Sequence, residues 1–335
     1  MPSSKPLDLF AIGTPLIDRF AQADDSFLLA HHLVRGSSNY LDDAGLIEVE
    51  RALRGRIRAE YPGDNARNVC EGFLTLAKEN ATAVLGKGKR TDAAAPKIFA
   101  ASFRVGYCGK IARDAPGRLF ERNLEKIGAR SFLQYGQTGQ TGRITCLISP
   151  DKERTFAVYL GASSDAADIS GLPSARFVFC TSITLMTSGA IRQSALDYVR
   201  RAKKEGSKIA LSLESPAMLG ADRQKALGIC RLADILFLNE DEAGAIGFSQ
   251  DDVASLAPLV FLKKGKNGSL VFKGSRMLLS MPAQQVKKVA DTTGAGDAYA
   301  AGALWALSNG RDEKEAALAG SRLAARIIQR VGNEL

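Results

Sequence analysis

Histidine is almost absent from this chain: His31 and His32 are the only two in 335 residues. Adjacent residues share neither a helix face nor a strand face. That argues against a histidine metal cluster and against Ser-His or Cys-His catalysis. Cysteine is sparse and odd in number. Cys70, Cys108, Cys146, Cys180 and Cys230 include no CxxC pair, which argues against a disulfide framework or a zinc site and for a reducing compartment. Each reads as a small buried hydrophobe. No apolar run approaches the length of a membrane span, and the first residues have no signal-peptide core. A cytoplasmic protein with no membrane partner is the expectation. The formal net charge is +9, but the basic residues are dispersed. Their densest cluster, Lys87, Lys89 and Arg90, has no interleaved aromatics, so nucleic acid is not expected as a partner. The surplus suits a phosphorylated ligand.

The GKGKRT run in the same region does not make a Walker A loop. No glycine stands five residues before Gly88-Lys89, and Arg90 takes the place of Ser/Thr. Residues 86–97 read as a surface loop without periodicity. Elsewhere the pattern is ordered. Leu7 to Ile12 is an apolar strand closed by Gly13-Thr14-Pro15. Asn65 to about Lys78 is a helix, Ala81 to Leu85 a short strand, and Asp114 to Ile127 an amphipathic helix. Arg143 to Ser149 and Thr155 to Leu160 alternate about the turn Pro150-Asp151-Lys152-Glu153, as a hairpin does. From residue 176 strands and helices alternate, which predicts a parallel sheet with helices on both faces.

The chemically richest stretch is Asp291-Thr292-Thr293-Gly294-Ala295-Gly296-Asp297, followed by the small-residue run Ala298 to Gly302. Gly294, Ala295 and Gly296 let a ligand approach the backbone. Free N–H groups at a helix start attract an anion such as phosphate. A carboxylate at Asp297 would repel that anion unless it serves it. The role that fits is to accept the proton of a hydroxyl attacking phosphorus.

DTTGAGDAYAAG resembles the C-terminal signature of the ribokinase/PfkB carbohydrate-kinase family, which includes adenosine kinases. Three further segments are similar to the family's. Gly13-Thr14-Pro15-Leu16-Ile17-Asp18 is like the first-strand motif, where the acid binds acceptor hydroxyls. In Gly63-Asp64-Asn65-Ala66-Arg67-Asn68, Gly63 and Asn68 fit the acceptor-binding pattern, while Asp64 replaces its second glycine. Asn239-Glu240-Asp241-Glu242 is like the NxxE motif linked to magnesium and the triphosphate. It also reads as a helix capping box. Lys264, Gly265 and Gly268 lie in a segment similar to the nucleotide loop, and Asn333 stands near the end that encloses adenine in relatives.

The resemblance implies one domain over residues 1–335: a three-layer α/β/α core of ribokinase type with a small β-sheet lid within about 14–60 and 143–160. It implies transfer of the γ-phosphoryl group of ATP to a hydroxyl of a sugar or nucleoside. Asp297 is then the base, the Gly294-Ala295-Gly296 backbone stabilises developing charge, and Asp18, Gly63, Asp64 and Asn68 hold the acceptor. Mg2+ is positioned through Asn239 and Glu242, and K+ is a further candidate at Asp291 and Thr293. A homodimer is left open. The departure at Asp64 admits a different function, a kinase-like sensor of sugars or nucleotides. As a kinase, the chain would use Asp64 to select the acceptor, provided Gly63 carries the unusual backbone dihedral. Alternatively Asp64 or Asn65 only caps the helix.

Overall fold

The computed structural model describes residues 6–85, 103–136 and 139–330. The loop at 86–97 and Asn333 lie outside the described residues. The first-strand segment forms β1 (Leu7–Ile12), and β2 (Leu16–Gln22), β3 (Ser38–Tyr40) and β4 (Ala59–Pro62) follow. After β4 come β5 (Val105–Cys108), β6 (Lys110–Ile111), β7 (Arg130–Ser131) and β8 (Gln134–Tyr135). The hairpin is β9 (Gly142–Ile148) and β10 (Arg154–Tyr159). The alternating half supplies β11 (Ala175–Thr181), β12 (Lys208–Ser212), β13 (Ile235–Asn239) and β14 (Leu259–Lys263). It closes with β15 (Ser269–Lys273) and β16 (Arg276–Met281).

Nine strands form one sheet in the order β16-β15-β14-β13-β12-β11-β1-β5-β7. From β7 to β14 its pairs are parallel, and β14, β15 and β16 end it as antiparallel neighbours. Successive side chains of β1 point to opposite faces. Phe10 and Ile12 enter one core, with Ile191, Leu196 and Val199 of the helix Ile191–Lys204. Leu9 and Ala11 enter the other, with Phe73, Phe120 and Leu304 from three helices. Helices on both faces make the expected three layers.

Ala81 to Leu85 is not a strand. The helix that starts at Asn65 runs on to Leu85, because Ala and Leu are good helix formers and nothing before Gly86 breaks the helix.

A second sheet has the order β3-β10-β9-β2-β4. It draws on residues 16–62 and 142–159. Its own small core includes Phe27, Leu28, Val49 and Leu53 from two covering helices, packed on Leu147 and Ala157. No helix of the described residues is long and apolar enough to cross a membrane.

Candidate active site

The helix Ala295–Ser308 begins directly at the glycine-rich turn. Gly294 is its N-cap with φ +76°, a left-handed conformation that glycine adopts without penalty. No side chain caps this helix start; the Ala295 N–H donates to Thr292 O at 3.2 Å, and the next N–H groups, of Gly296 and Asp297, remain available to an anion. Asp297 lies in the first turn and is buried. Its proton affinity is pushed up to about 7, mainly by burial. Asn68 and Lys263 oppose that rise, while Asp64 and Glu242 add to it.

Asn68 comes from the helix Asn65–Leu85 and donates from Nδ2 to Asp297 Oδ2 at 2.9 Å. The acceptor segment and the base are therefore joined directly, across 229 residues of sequence. Asp18 sits on β2, in the middle of a strand. Burial raises its proton affinity to about 7; Asp64 adds to the rise and Arg67 opposes it. Gly63 packs against it: a Cβ there would lie 2.6 Å from Asp18 Oδ1. Any larger residue would displace the carboxylate.

Asp64 differs from the expectation in one respect. The left-handed dihedral belongs to Asp64 itself, at φ +88°, and Gly63 is not among the positive-φ glycines. The reason is local. Asp64 C=O accepts from Asn68 N–H at 3.0 Å, the first bond of the helix. Its carboxylate accepts from the Tyr107 hydroxyl at 2.5 Å, and that bond together with the backbone at Ala66, Thr14 and Arg67 holds its proton affinity down. The Tyr107 bond commits Oδ2 of the carboxylate to the protein. Burial nevertheless raises its proton affinity to about 6.

Asp64→Gly removes strain of about 1–2 kcal/mol. It also replaces a capping side chain by glycine, which costs only a few tenths of a kcal/mol, and strands a buried Tyr107 hydroxyl at about 1–3 kcal/mol. We expect a net loss of about 1 kcal/mol or less by chemical denaturation, with the ranking of acceptors retained. A reordered ranking over one acceptor panel would show that the carboxylate reaches the acceptor.

On the other side of the turn lies a cavity of about 590 Å3. Asn239, Gly265, Gly268, Thr292, Ala295 and Gly296 contribute to its wall. Asn239 and Glu242 form a true capping box: Glu242 N–H donates to Asn239 Oδ1 at 2.8 Å and Asn239 N–H to Glu242 Oε2 at 2.7 Å. Glu242 is buried, and burial raises its proton affinity. Lys264 does not face this cavity. Its ammonium pairs with Glu240 at 3.3 Å and with Gln250. The preceding residue does face it. Lys263 closes β14, lines the cavity, and places Nζ 3.0 Å from where a Cβ on Gly296 would stand. Successive strand residues point to opposite faces, so choosing between two adjacent lysines required the register of β14.

Four polar residues in this region went unremarked in the sequence. Lys263 and the buried acid Glu214 lie at or just beyond the C-terminal ends of β14 and β12. That is where ligands bind in parallel sheets, and strand order was the available signal. Glu214 is held well above the ordinary carboxylate range by burial and by the nearby charges of Asp297 and Glu242. Arg67 is wholly buried beneath Asn68. Arg154 reaches from β10 to the 291–293 turn, 3.7 Å from Asp291 Oδ1 and 3.3 Å from Thr293 Oγ1. Asp291 Oδ1 also accepts from Thr293 N–H at 3.0 Å and Oγ1 at 2.8 Å. A guanidinium thus lies beside the two side chains considered for a monovalent cation.

A parallel α/β sheet, an uncapped helix start over a nucleotide-sized cavity and a buried acid in that helix's first turn define a phosphotransferase site. The model of the pfkB family carbohydrate kinases matches residues 94–334, and the chain belongs to that family. It is a kinase that uses ATP and a small-molecule alcohol acceptor. Among its relatives, adenosine kinase of Dictyostelium discoideum is 23% identical over 97% of this chain and 96% of its own length. The 5-dehydro-2-deoxygluconokinase of Bacillus subtilis is 26% identical over 68% of this chain and 76% of its own. The crystal structure of adenosine kinase from Sinorhizobium meliloti superposes with a TM-score of 0.77 at 24% identity, covering 98% of this chain and 96% of that one. That likeness bears out the ribokinase-like fold.

Proposed function

We propose that Asp297 removes the proton of an acceptor hydroxyl as that oxygen attacks the γ-phosphorus of ATP, and that Asp18 binds a vicinal diol of the same sugar or nucleoside. The observation that carries this reading is the Asn68–Asp297 hydrogen bond, which brings the acceptor segment and the base into one site. The N–H groups at the start of the helix Ala295–Ser308 receive the phosphoryl oxygens as charge develops. Lys263 supplies a positive charge beside them, in place of the Lys264 expected from the sequence. Gly265 and Gly268 line the nucleotide cavity. The second sheet, which carries Asp18 and Arg154, serves as a lid that keeps water from the acceptor's place. The chain works as one kinase domain.

Mg2+ fits this site when held indirectly. Among the described residues no three His, Cys, Asp or Glu side chains are arranged to grip a metal. However, the charges of Asp297 and Glu242 raise the proton affinity of buried Glu214, and a cation nearby relieves that repulsion. Mg2+ commonly keeps several waters and binds through one or two carboxylates and substrate phosphates. Asn239 and Glu242 would hold it so, and it would neutralise phosphate charge.

The test compares a riboside with its 2′-deoxy counterpart, in the wild type and in Asp18→Asn. A carboxylate can take both protons of a diol. The wild type should prefer the riboside by about 10–100-fold in kcat/KM, the worth of a hydrogen bond to a charged group. Asp18→Asn should erase most of that preference and leave the KM for ATP nearly unchanged. Equal use of both acceptors by the wild type would remove the diol from the reading.

A further inference from the structure

We propose that Arg67 is a positioning residue that locks the side-chain amide of Asn68 in the one orientation from which it donates to Asp297. The inference rests on the phosphotransfer reading above and names what aligns its base. Arg67 has no measurable exposure. Nε and Nη2 both donate to Asn123 Oδ1, at 2.8 and 2.6 Å, which ties it to the helix Ala115–Ile127. Nη1 pairs with Glu71 at 2.8 Å and donates to Asn68 Oδ1 at 2.9 Å.

A guanidinium has donors only. Asn68 must therefore turn its oxygen to Arg67, which leaves its NH2 for Asp297 Oδ2 at 2.9 Å. The flipped amide would set donor against donor at Arg67 and oxygen against carboxylate at Asp297. Two consequences follow. One lone pair of Oδ2 is held by Asn68, which fixes the plane in which the carboxylate offers its remaining lone pairs to the acceptor's proton. The second N–H of Asn68 can donate to an acceptor oxygen but cannot take its proton, which leaves that proton for the base.

Asp297 is also faced by Lys263 at the end of β14, by Glu242 from the helix Glu240–Ala245, by Glu214 beyond β12 and by Asp64 ahead of Asn68. A substitution at Arg67 changes none of these side chains, but Arg67→Gln removes the charge that holds down Asp18, so transfer is measured with the acceptor saturating. Asn68's hydrogen bond favours the ionised base, so freeing the amide must raise the proton affinity of Asp297.

The experiment is the pH profile of single-turnover phosphoryl transfer in the wild type, Arg67→Gln and Arg67→Lys. The expected result is an acidic limb moved up by about one pH unit in Arg67→Gln, with much of the rate recovered at high pH. Arg67→Lys remains donor-only and should restore the limb. A structural role alone would lower the rate equally at every pH, and that outcome overturns the proposal. Absence of any transfer in the wild type would instead sink the phosphotransfer reading. Arg67→Gln can fail to fold, so a second measurement uses the unaltered protein. The Asn68 side-chain NH2 resonances, assigned by their loss in Asn68→Asp, should titrate with Asp297 and cease to do so in Asp297→Asn. An amide indifferent to that titration also overturns the proposal.

Discussion

Asp297→Asn should lower the rate of phosphoryl transfer by about 10²–10⁴-fold, the usual worth of a general base, while ATP still binds. Asn preserves size and can still bond to Asn68, but it cannot accept a proton. Stability provides an independent check. The folded-state proton affinity of Asp297, about 7, lies above the 3.8 of a free aspartate. The stability contributed by this group is thus fully present below about pH 4 and is lost as pH rises through 7. Removing the charge should leave the melting temperature at pH 8 as high as in the wild type or higher. A slow variant that melts normally assigns the loss to chemistry. A variant within a few-fold of the wild-type rate would take Asp297 out of the mechanism.

Lys263→Met should cost about 10²–10³-fold in the rate of transfer, the magnitude found when one preorganised group is withdrawn from developing charge. Lys263 reaches the turn at Gly296 and faces Asp297, Glu242 and Glu214. Its loss removes a cation from the phosphoryl group and also raises the proton affinity of the base, which Lys263 holds down. Part of the rate should therefore return above pH 8, while the acceptor KM moves little. Lys264→Ala should cost much less, because that ammonium is spent on Glu240 and Gln250. If Lys264→Ala were the slower of the two, the assignment of β14's register would be wrong.

The site was legible where chemistry and local backbone coincide in a short stretch. The run from Asp291 to Gly302 carried the turn, the helix start and the acid together, and the alternation after residue 176 carried the parallel sheet. Gly63 and Asn68 were legible only through their resemblance to the family's acceptor-binding pattern. Contacts made between distant segments were not. Lys263 and Lys264 are indistinguishable until strand pairing sets which of them faces the cavity. Nothing local marks Arg67, because its partner Asn123 lies 56 residues on. The sequence offers Asp64 as an acceptor-selecting residue or a helix cap, and does not show that Tyr107, 43 residues away, donates to its carboxylate. Selection of the acceptor by Asp64 was conditional on Gly63 carrying the unusual dihedral, whereas Asp64 itself adopts it while anchoring the helix start.

The most direct measurement is the single-turnover rate of γ-phosphoryl transfer from ATP to an acceptor hydroxyl between pH 5 and 9. A buried base with proton affinity near 7 predicts a rate rising about tenfold per pH unit on the acid side and levelling above about pH 7.5. In Asp297→Asn that titration should be gone. A wild-type rate flat from pH 5.5 to about 8.5, or one whose acid limb survives in Asp297→Asn, would contradict the assignment of Asp297 as the base.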